Sequence, residues 1–367
     1  MRKYLKSLAL VLLVGLITVW FGRRLDWAKI ADELRQSDLK LIAVAVALVC
    51  LTYLVRAFRW RALLAPLVRN VSLRELFAAT TVGFGAVFLI GRAGEVLRPA
   101  FLPLRDGRVR PGAAFVTIAV ERIYDMVAIV VLFAANLLLF LAPVGDAATF
   151  TRMREAGLVM LLGCAAGVVA LILLRRHAPA LIRWLGGASN SWLSSLRRVS
   201  GIVTSLLEQL AQALRVMVSA RELMITIGWT ILLWALIAFA NMLVFRAFGL
   251  PLGLSETLFV MGWSLVGSLV PTPGGAAGTF HVATAAGLVF LGAARSQEEA
   301  AAASIILHLV VFGPAAFFGL YYILRSDITL ARLRHLASEK VSKRETSGDE
   351  GQTNIKSRQL LAGEGLR

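Results

Sequence analysis

Leu76–Ile90 is an apolar run, LFAATTVGFGAVFLI; Gly91-Arg92-Ala93-Gly94-Glu95 breaks it, and Val96–Leu104, VLRPAFLPL, resumes it. How this stretch meets a membrane decides the topology. If Leu76–Ile90 crossed fully, Arg98, Arg105, Arg108 and Arg110 would face outside. The basic loop from Arg175 to Glu222 would follow them two spans later. Both outcomes oppose the bias that keeps Lys and Arg on the cytoplasmic side. A hairpin that enters and leaves on the cytoplasmic face keeps every basic loop inside.

The rest of the chain supplies the setting. It has 367 residues, of which 58% are hydrophobic and 17% charged, with a mean hydropathy of +0.75. A soluble domain is nearer 45–50% apolar and about 25% charged. Disorder, collagen-like repeats and a disulfide scaffold are excluded as accounts of the whole chain. The net charge of +17 does not point to nucleic acid, because Lys and Arg cluster in short segments between apolar runs. Cys50 and Cys164 fall inside such runs, which predicts neither a structural disulfide nor a zinc site.

Further runs are Leu8–Phe21, Leu41–Val55, Met126–Ala142, Leu158–Leu174, Leu223–Phe245 and Ala303–Leu324. With flanking residues each approaches the roughly 20 needed to cross a bilayer. The first lacks a small-x-small cleavage site and reads as an uncleaved span. Between Arg59 and Arg74 there are four Arg and no acid, and Arg175–Glu222 carries seven Arg against Glu208 and Glu222. Gly22–Lys40 carries five basic and four acidic residues, and Ala142–Glu155 two of each. The first pair of segments belongs inside and the second pair outside.

Leu258–Val270, Pro271-Thr272-Pro273-Gly274-Gly275 and Thr279–Leu291 repeat the two-armed pattern. The same count makes this a hairpin entering from outside. The expected fold is therefore all-α and polytopic: about six full spans, two oppositely oriented broken or re-entrant hairpins, and both termini cytoplasmic. Residues 1–324 form the transmembrane domain and 325–367 a basic cytoplasmic tail, largely disordered. Two ordinary short helical pairs would preserve the same loop sides. Broken backbone at membrane depth survives only where protein or a wet cavity satisfies it, and transporter sites are often built from such segments.

Three constellations could carry chemistry. In Gly91–Arg98, glycines such as Gly94 permit a turn and close approach of a ligand; Arg92 and Arg98 could hold a phosphate, and Glu95 a counter-ion or proton. The plainer account is a loop with solvated arginines. In Glu121-Arg122-Ile123-Tyr124-Asp125, Glu121 and Asp125 share a helix face and Arg122 lies three before Asp125. From Ala113 to Ala142 a helix runs about 45 Å, which places these charges at the cytoplasmic third of the membrane. Intramembrane ionisable groups mark function or a locking ion pair. In Pro271–His281, Pro271 and Pro273 end one arm, and Gly274, Gly275 and Gly278 allow N–H groups to converge on an anion. His281 either handles a proton or pairs helices; His308, on the last span, has the same two readings. At the end of the second span Arg59 and Arg61 are expected to snorkel and Trp60 to join the aromatic belt. Arg56 lies deepest and is the candidate there.

These motifs, in this order from about Leu5 to Leu324, resemble the lysylphosphatidylglycerol synthase transmembrane, or flippase-like, family. The resemblance implies a multi-pass protein of the plasma (inner) membrane that moves a phospholipid or a polyprenyl-linked sugar between leaflets. No aminoacyl-transferase domain follows, so an enzyme is not expected and no cofactor or metal is called for. His281 and His308 stand where relatives often carry an acidic residue and an Arg, which weakens any role carried over there.

The function expected is a lipid translocase. An anionic headgroup enters between the hairpins, held by Arg92, Arg98 and Arg122 with the Pro271–Gly278 backbone. The partners expected are the lipid headgroup and a lipid-modifying enzyme or a second copy of the chain, not nucleic acid. The alternatives are a glycosyltransferase using a lipid-linked donor, with Asp26, Asp32, Glu33 and Asp38 as outer-loop carboxylates, and a non-catalytic accessory subunit. The short segment holding those acids reads more like an amphipathic interface helix.

Overall fold

The computed structural model of the chain describes residues 27–139, 151–152, 154–170, 173, 220–269 and 277–326, without the side chains of residues 90, 92 and 93. Every regular element among them is helical. Helix α1, Trp27–Gln36, falls in the loop read as an interface helix and buries Ile30. Asp38 then stops one helix and starts the next. Its carboxylate accepts from the N–H of Lys40 at 2.8 Å and of Leu41 at 3.3 Å, capping α2, Leu39–Leu64.

The next two helices and the turn between them form the first hairpin. Helix α3 is Leu73–Ile90, the tip is a 3-10 segment Gly91–Val96, and α4 is Leu97–Arg105. Glu75, near the start of α3, accepts from Arg105 at the end of α4 through both Nε and Nη2. Just beyond, Arg108 Nη2 donates to the carbonyl of Asn70 at 3.2 Å. The two open ends therefore meet at one end of the bundle. A Cβ on Gly94 would collide with the backbone of Ala86 and Val87, so only glycine lets the tip fold back onto α3 this closely.

Helix α5, Pro111–Leu139, starts on a proline, whose missing N–H costs nothing in a first turn. Residues 154–170 are also helical, and there a Cβ on Gly157 would lie 3.0 Å from the Ala134 carbonyl oxygen. Helix α6, Ala220–Ala247, runs antiparallel to α2. The Asp38 N–H donates to the Ala247 carbonyl at 2.8 Å at one end, and Phe58 stacks on Trp229 at 5.3 Å toward the other.

The second hairpin is α7, Leu254–Ser268, and α8, Ala277–Phe290. Its antiparallel register is set by Ser264 Oγ and Thr284 Oγ1, 2.7 Å apart, and by Phe259 against Phe290 at 5.6 Å. It opens beside the C-terminal end of α5, where Ser255 Oγ donates to Asn136 Oδ1 at 2.8 Å and Asn136 Nδ2 returns a bond to the Ser255 carbonyl at 3.1 Å. The first hairpin leads directly into the N-terminal end of α5. The two hairpins thus open at opposite ends of that helix.

Helix α9, Gln297–Leu324, begins with Ser296 accepting from the Glu299 N–H at 3.1 Å while Glu299 accepts from the Arg295 N–H at 2.5 Å. The first is the cap bond of a helix start, and the second ties down the residue before the cap. It packs antiparallel on α3, with Phe318 against Phe77 and Phe312 against Phe88. By compactness the chain divides into Met1–Tyr321 and Tyr322–Arg367; the site lies in the first.

Helices α2, α5, α6 and α9 are each long and apolar enough to cross a membrane. They contain or overlap four of the six expected spans. Leu158–Leu174 overlaps the helical stretch 154–170. Leu8–Phe21, residues 174–219 and the tail beyond Ser326 lie outside the described residues.

Candidate functional site

Six ionised side chains collect where α2, α4, α5 and α6 meet. Helical spacing puts Arg56 and Arg59 three apart on α2, and Glu121 and Asp125 four apart on α5, so each pair presents one face. Arg59 is the hub. Its Nη1 donates to Asp125 Oδ1 at 2.6 Å and its Nη2 to Asp125 Oδ2 at 3.1 Å. Nη2 is also 3.1 Å from Glu121 Oε1. Nη1 donates further to Thr230 Oγ1 at 3.1 Å, and that hydroxyl donates on to the Thr226 carbonyl. The side chains of Arg59 and Glu121 are 0% exposed.

Arg98 comes in from α4. Its Nη1 donates to Glu121 Oε1 at 2.5 Å, and its guanidinium lies 4.4 Å over the Trp60 ring. Trp60 is held in turn by a bond from Nε1 to Thr117 Oγ1 at 2.9 Å. Arg98 can sit there because Gly83 faces it from α3, where an added Cβ would be 2.5 Å from Arg98 Cβ. Arg56 lies 4.6 Å over Phe84, and its Nη1 is 3.9 Å from Asp125 Oδ2. Arg122 stands at the edge, 38% exposed, with Nη2 3.2 Å from Glu121 and 3.6 Å from Asp125.

The charges do not balance. Four guanidinium groups, of Arg56, Arg59, Arg98 and Arg122, share two carboxylates. Arg56 Nη1, Arg59 Nε, Arg98 Nε and Nη2, and Arg122 Nε are buried with no hydrogen-bond partner among the described residues, as is Glu121 Oε2. Buried donors left unpaired are costly, and a surplus of buried positive charge is costlier. An oxyanion placed among Arg56, Arg98 and Arg122 would relieve both at once, since guanidinium forks match carboxylate and phosphate oxygens.

Of the residues singled out in the sequence, Arg56, Arg98, Glu121, Arg122 and Asp125 come together here. Glu95 is exposed on the hairpin tip. Gly94 has a packing reason to be glycine. Gly278 is half-buried in the first turn of α8, and His281 one turn on meets His308, ring centroids 5.0 Å apart. The side chain of Arg92, and all of Pro271, Pro273, Gly274 and Gly275, lie outside the described residues.

Two expectations are corrected. Arg59 does not snorkel and Trp60 does not sit in an interfacial belt: both are fully buried. The reason is electrostatic for one and geometric for the other. Arg59 turns inward because Asp125 takes both of its terminal nitrogens, and Arg98 lies on the flat indole. The pairing of Arg122 with Asp125 exists, but the buried partner is Arg59. Its spacing from Arg56 puts both on one α2 face, but that spacing does not fix which way Arg59 turns.

Outside the bundle, Asp106 accepts hydrogen bonds from the Arg108 side chain, which hold its carboxyl below the ordinary carboxylate range. Among the described residues no group of three or more His, Cys, Asp or Glu is placed to hold a metal ion.

The family profile described as the lysylphosphatidylglycerol synthase TM region matches residues 7–319. A curated relative, "UPF0104 membrane protein PH1989" of Pyrococcus horikoshii, is 23% identical over 89% of this chain and 98% of its own length. The profile spans α1 to α8, most of α9, and every member of the arginine–carboxylate cluster. The chain is a multi-pass, lipid-related membrane protein and belongs to the lysylphosphatidylglycerol synthase TM-region family.

Proposed function

We propose that this chain moves a lipid with an anionic headgroup between the leaflets of the plasma (inner) membrane. The observation that carries the reading is the surplus of buried guanidinium: Arg98 Nε and Nη2 and Arg56 Nη1 have no hydrogen-bond partner among the described residues. A phosphate oxygen accepting from them completes the donors while the acyl or prenyl chains stay in lipid. Arg59 is not a ligand in this reading. Its Nη groups are spent on Asp125, Glu121 and Thr230, so it fixes the acids that orient the other arginines. The Pro271–Gly278 tip would add backbone N–H groups from the second hairpin.

The topology that goes with this activity has six spans, two re-entrant hairpins and both termini in the cytoplasm. The Glu75–Arg105 contact supports a common side for the two ends of the first hairpin, because it joins them. A lipid-modifying enzyme or a second copy is the partner this function calls for. The glycosyltransferase reading is less well served. Asp38 is committed to capping α2, and Asp32 lies 3.6 Å from Arg35 on the surface of α1.

The test is exchange of fluorescent phosphatidylglycerol across reconstituted vesicles. Charged hydrogen bonds are worth about 1.5–3 kcal/mol, so Arg98→Gln and Arg56→Gln should each slow exchange by roughly tenfold or more. Exchange at the unsubstituted rate in both folded variants sinks the reading, as does the absence of exchange by the parent protein.

A further inference from the structure

The arginine cluster leaves a second polar place unused. His281 on α8 and His308 on α9 bring their rings to 5.0 Å in an edge-to-face arrangement. They are the sole ionisable side chains of α8 and of residues 300–320. His308 is buried among Phe88, Phe280 and Phe312, with centroids at 5.5, 5.1 and 4.9 Å. His281 Nε2 is buried with no hydrogen-bond partner among the described residues. Packing alone gives no reason to place an imidazole at position 281, since its unpartnered ring nitrogen costs free energy that an aliphatic side chain would not.

Protonation changes that balance. An imidazolium at this place gains the π-faces of the surrounding rings and can direct an N–H at the neighbouring neutral imidazole. Two adjacent imidazolium groups repel, so the pair takes one proton rather than two.

The elements packed on the pair connect it to the arginines. Helix α3 carries Phe84, which lies under Arg56 and 5.9 Å from Arg98, and Phe88, four residues on, which lies against His308. Four residues are about 6 Å of helix. Helix α2 carries Arg56 and, three residues before it, Tyr53, whose hydroxyl donates to the Val311 carbonyl at 2.7 Å. The titratable groups of α3 are Arg74 and Glu75 at its far start; Glu256 opens α7, and Glu298 and Glu299 open α9. The tip beyond Phe88 adds Glu95, which is exposed, and Arg92, whose side chain lies outside the described residues. Among the described side chains Arg56 is the charge joined to the pair through this aromatic layer. Its positive charge opposes a proton there, and an anion bound to Arg56 and Arg98 removes the opposition.

We propose that His281 and His308 form one proton-binding site linked to the arginine cluster, so that an anionic headgroup and a proton bind together. The proposal rests on reading the cluster as an anion site. By reciprocity, the headgroup raises the proton affinity of the pair by the factor that the proton raises the headgroup affinity. Unit charges roughly 10 Å apart at an effective dielectric constant of about 20 interact by about one pH unit, or about tenfold.

The experiment uses the full chain in an uncharged maltoside detergent with ring-15N histidine. Histidine signals are followed against pH with short-chain phosphatidylglycerol or short-chain phosphatidylcholine. His177 and His335, the other two histidines, report any change in micelle charge. Phosphatidylglycerol should move the midpoint of the His281–His308 pair about one unit to higher pH, leaving His177 and His335 in place. Its affinity should rise about tenfold below that midpoint, a dependence lost in His281→Gln/His308→Gln. If phosphatidylglycerol binds and Arg98→Gln weakens it, yet the pair does not move or all four histidines move together, the linkage is overturned and the anion site stands. If Arg98→Gln and Arg56→Gln bind the lipid as the parent does, the anion site falls and the linkage with it.

Discussion

Arg59 reaches Asp125 with both of its terminal nitrogens, at 2.6 and 3.1 Å, across 66 residues of sequence. The same guanidinium touches Glu121 and Thr230, so one side chain ties α2 to α5 and α6. A fork of this kind fixes orientation as well as distance, and the two acids it orients are the ones Arg56, Arg98 and Arg122 share. The hub and the surplus are thus separable: Arg59 holds the carboxylates, and the other three arginines remain under-satisfied.

Breaking that hub should be the most damaging single change in the cluster. Arg59→Ala takes the two-nitrogen partner from Asp125, which is left with Arg122 at 3.6 Å and Arg56 at 3.9 Å, and removing one partner of a buried pair costs on the order of 3–5 kcal/mol. Arg59→Lys keeps the charge but cannot span both Asp125 oxygens, so it should recover only part of the loss. Asp125→Asn should cost less in the Arg59→Ala background than in the parent, because the bidentate pair is already gone. Thermal unfolding in detergent across this double-mutant cycle gives the coupling; a value near zero means that the two residues do not support one another.

Arg122 makes the contrast. It approaches the same carboxylates at 3.2 and 3.6 Å but is 38% exposed, so it is not enclosed with the two acids as Arg59 is. Arg122→Ala should change stability by no more than about 1 kcal/mol. A loss as large as that of Arg59→Ala would show that Arg122 is the buried partner in the membrane.

The helices were legible because their signals are local. Apolar runs over Leu41–Val55, Leu223–Phe245 and Ala303–Leu324 sit inside α2, α6 and α9, and the breaks at Gly91 and Pro271 mark the two hairpins. The carboxylates of the site were legible for the same reason, since Glu121 and Asp125 interrupt an otherwise apolar helix. Arg59 was not. An Arg near the end of a span looks identical whether it snorkels to headgroups or turns inward, and the choice depends on acids 62 and 66 positions away. The meeting of His281 with His308 is likewise tertiary: no spacing within either helix encodes it, only the packing of α8 on α9.

The proposed sidedness is open to chemical labelling. Arg35 on α1 has an 81% exposed side chain, and Gly107, between α4 and α5, has open space around it. In a Cys50→Ala/Cys164→Ala background, Arg35→Cys should react with an impermeant thiol reagent in intact cells. Gly107→Cys should react only after lysis. Labelling of Gly107→Cys from outside would place the mouth of the first hairpin on the wrong face and undo the charge-based count.

Gly83 offers the sharpest separation of packing from ligand binding. A Cβ there would lie 2.5 Å from Arg98 Cβ and 3.1 Å from its Cα, so Gly83→Ala must push α4 away from α3. The Arg98 guanidinium then loses its seat over Trp60 and its bond to Glu121. At Gly85 the same change meets the Ala315 carbonyl oxygen at 2.8 Å, which disturbs α3 against α9 without touching Arg98. Overpacking costs about 1–3 kcal/mol at either position, so unfolding in detergent should register both variants alike. Binding of short-chain phosphatidylglycerol should not: Gly83→Ala is expected to weaken it by roughly tenfold, the worth of a charged hydrogen bond, and Gly85→Ala far less. Gly107→Ala, with no atom within 4 Å of the added carbon, should alter neither measurement. Equal lipid affinity in the Gly83 and Gly85 variants would mean that the seating of Arg98 does not govern the headgroup, and Arg56 with Arg122 would have to hold it alone.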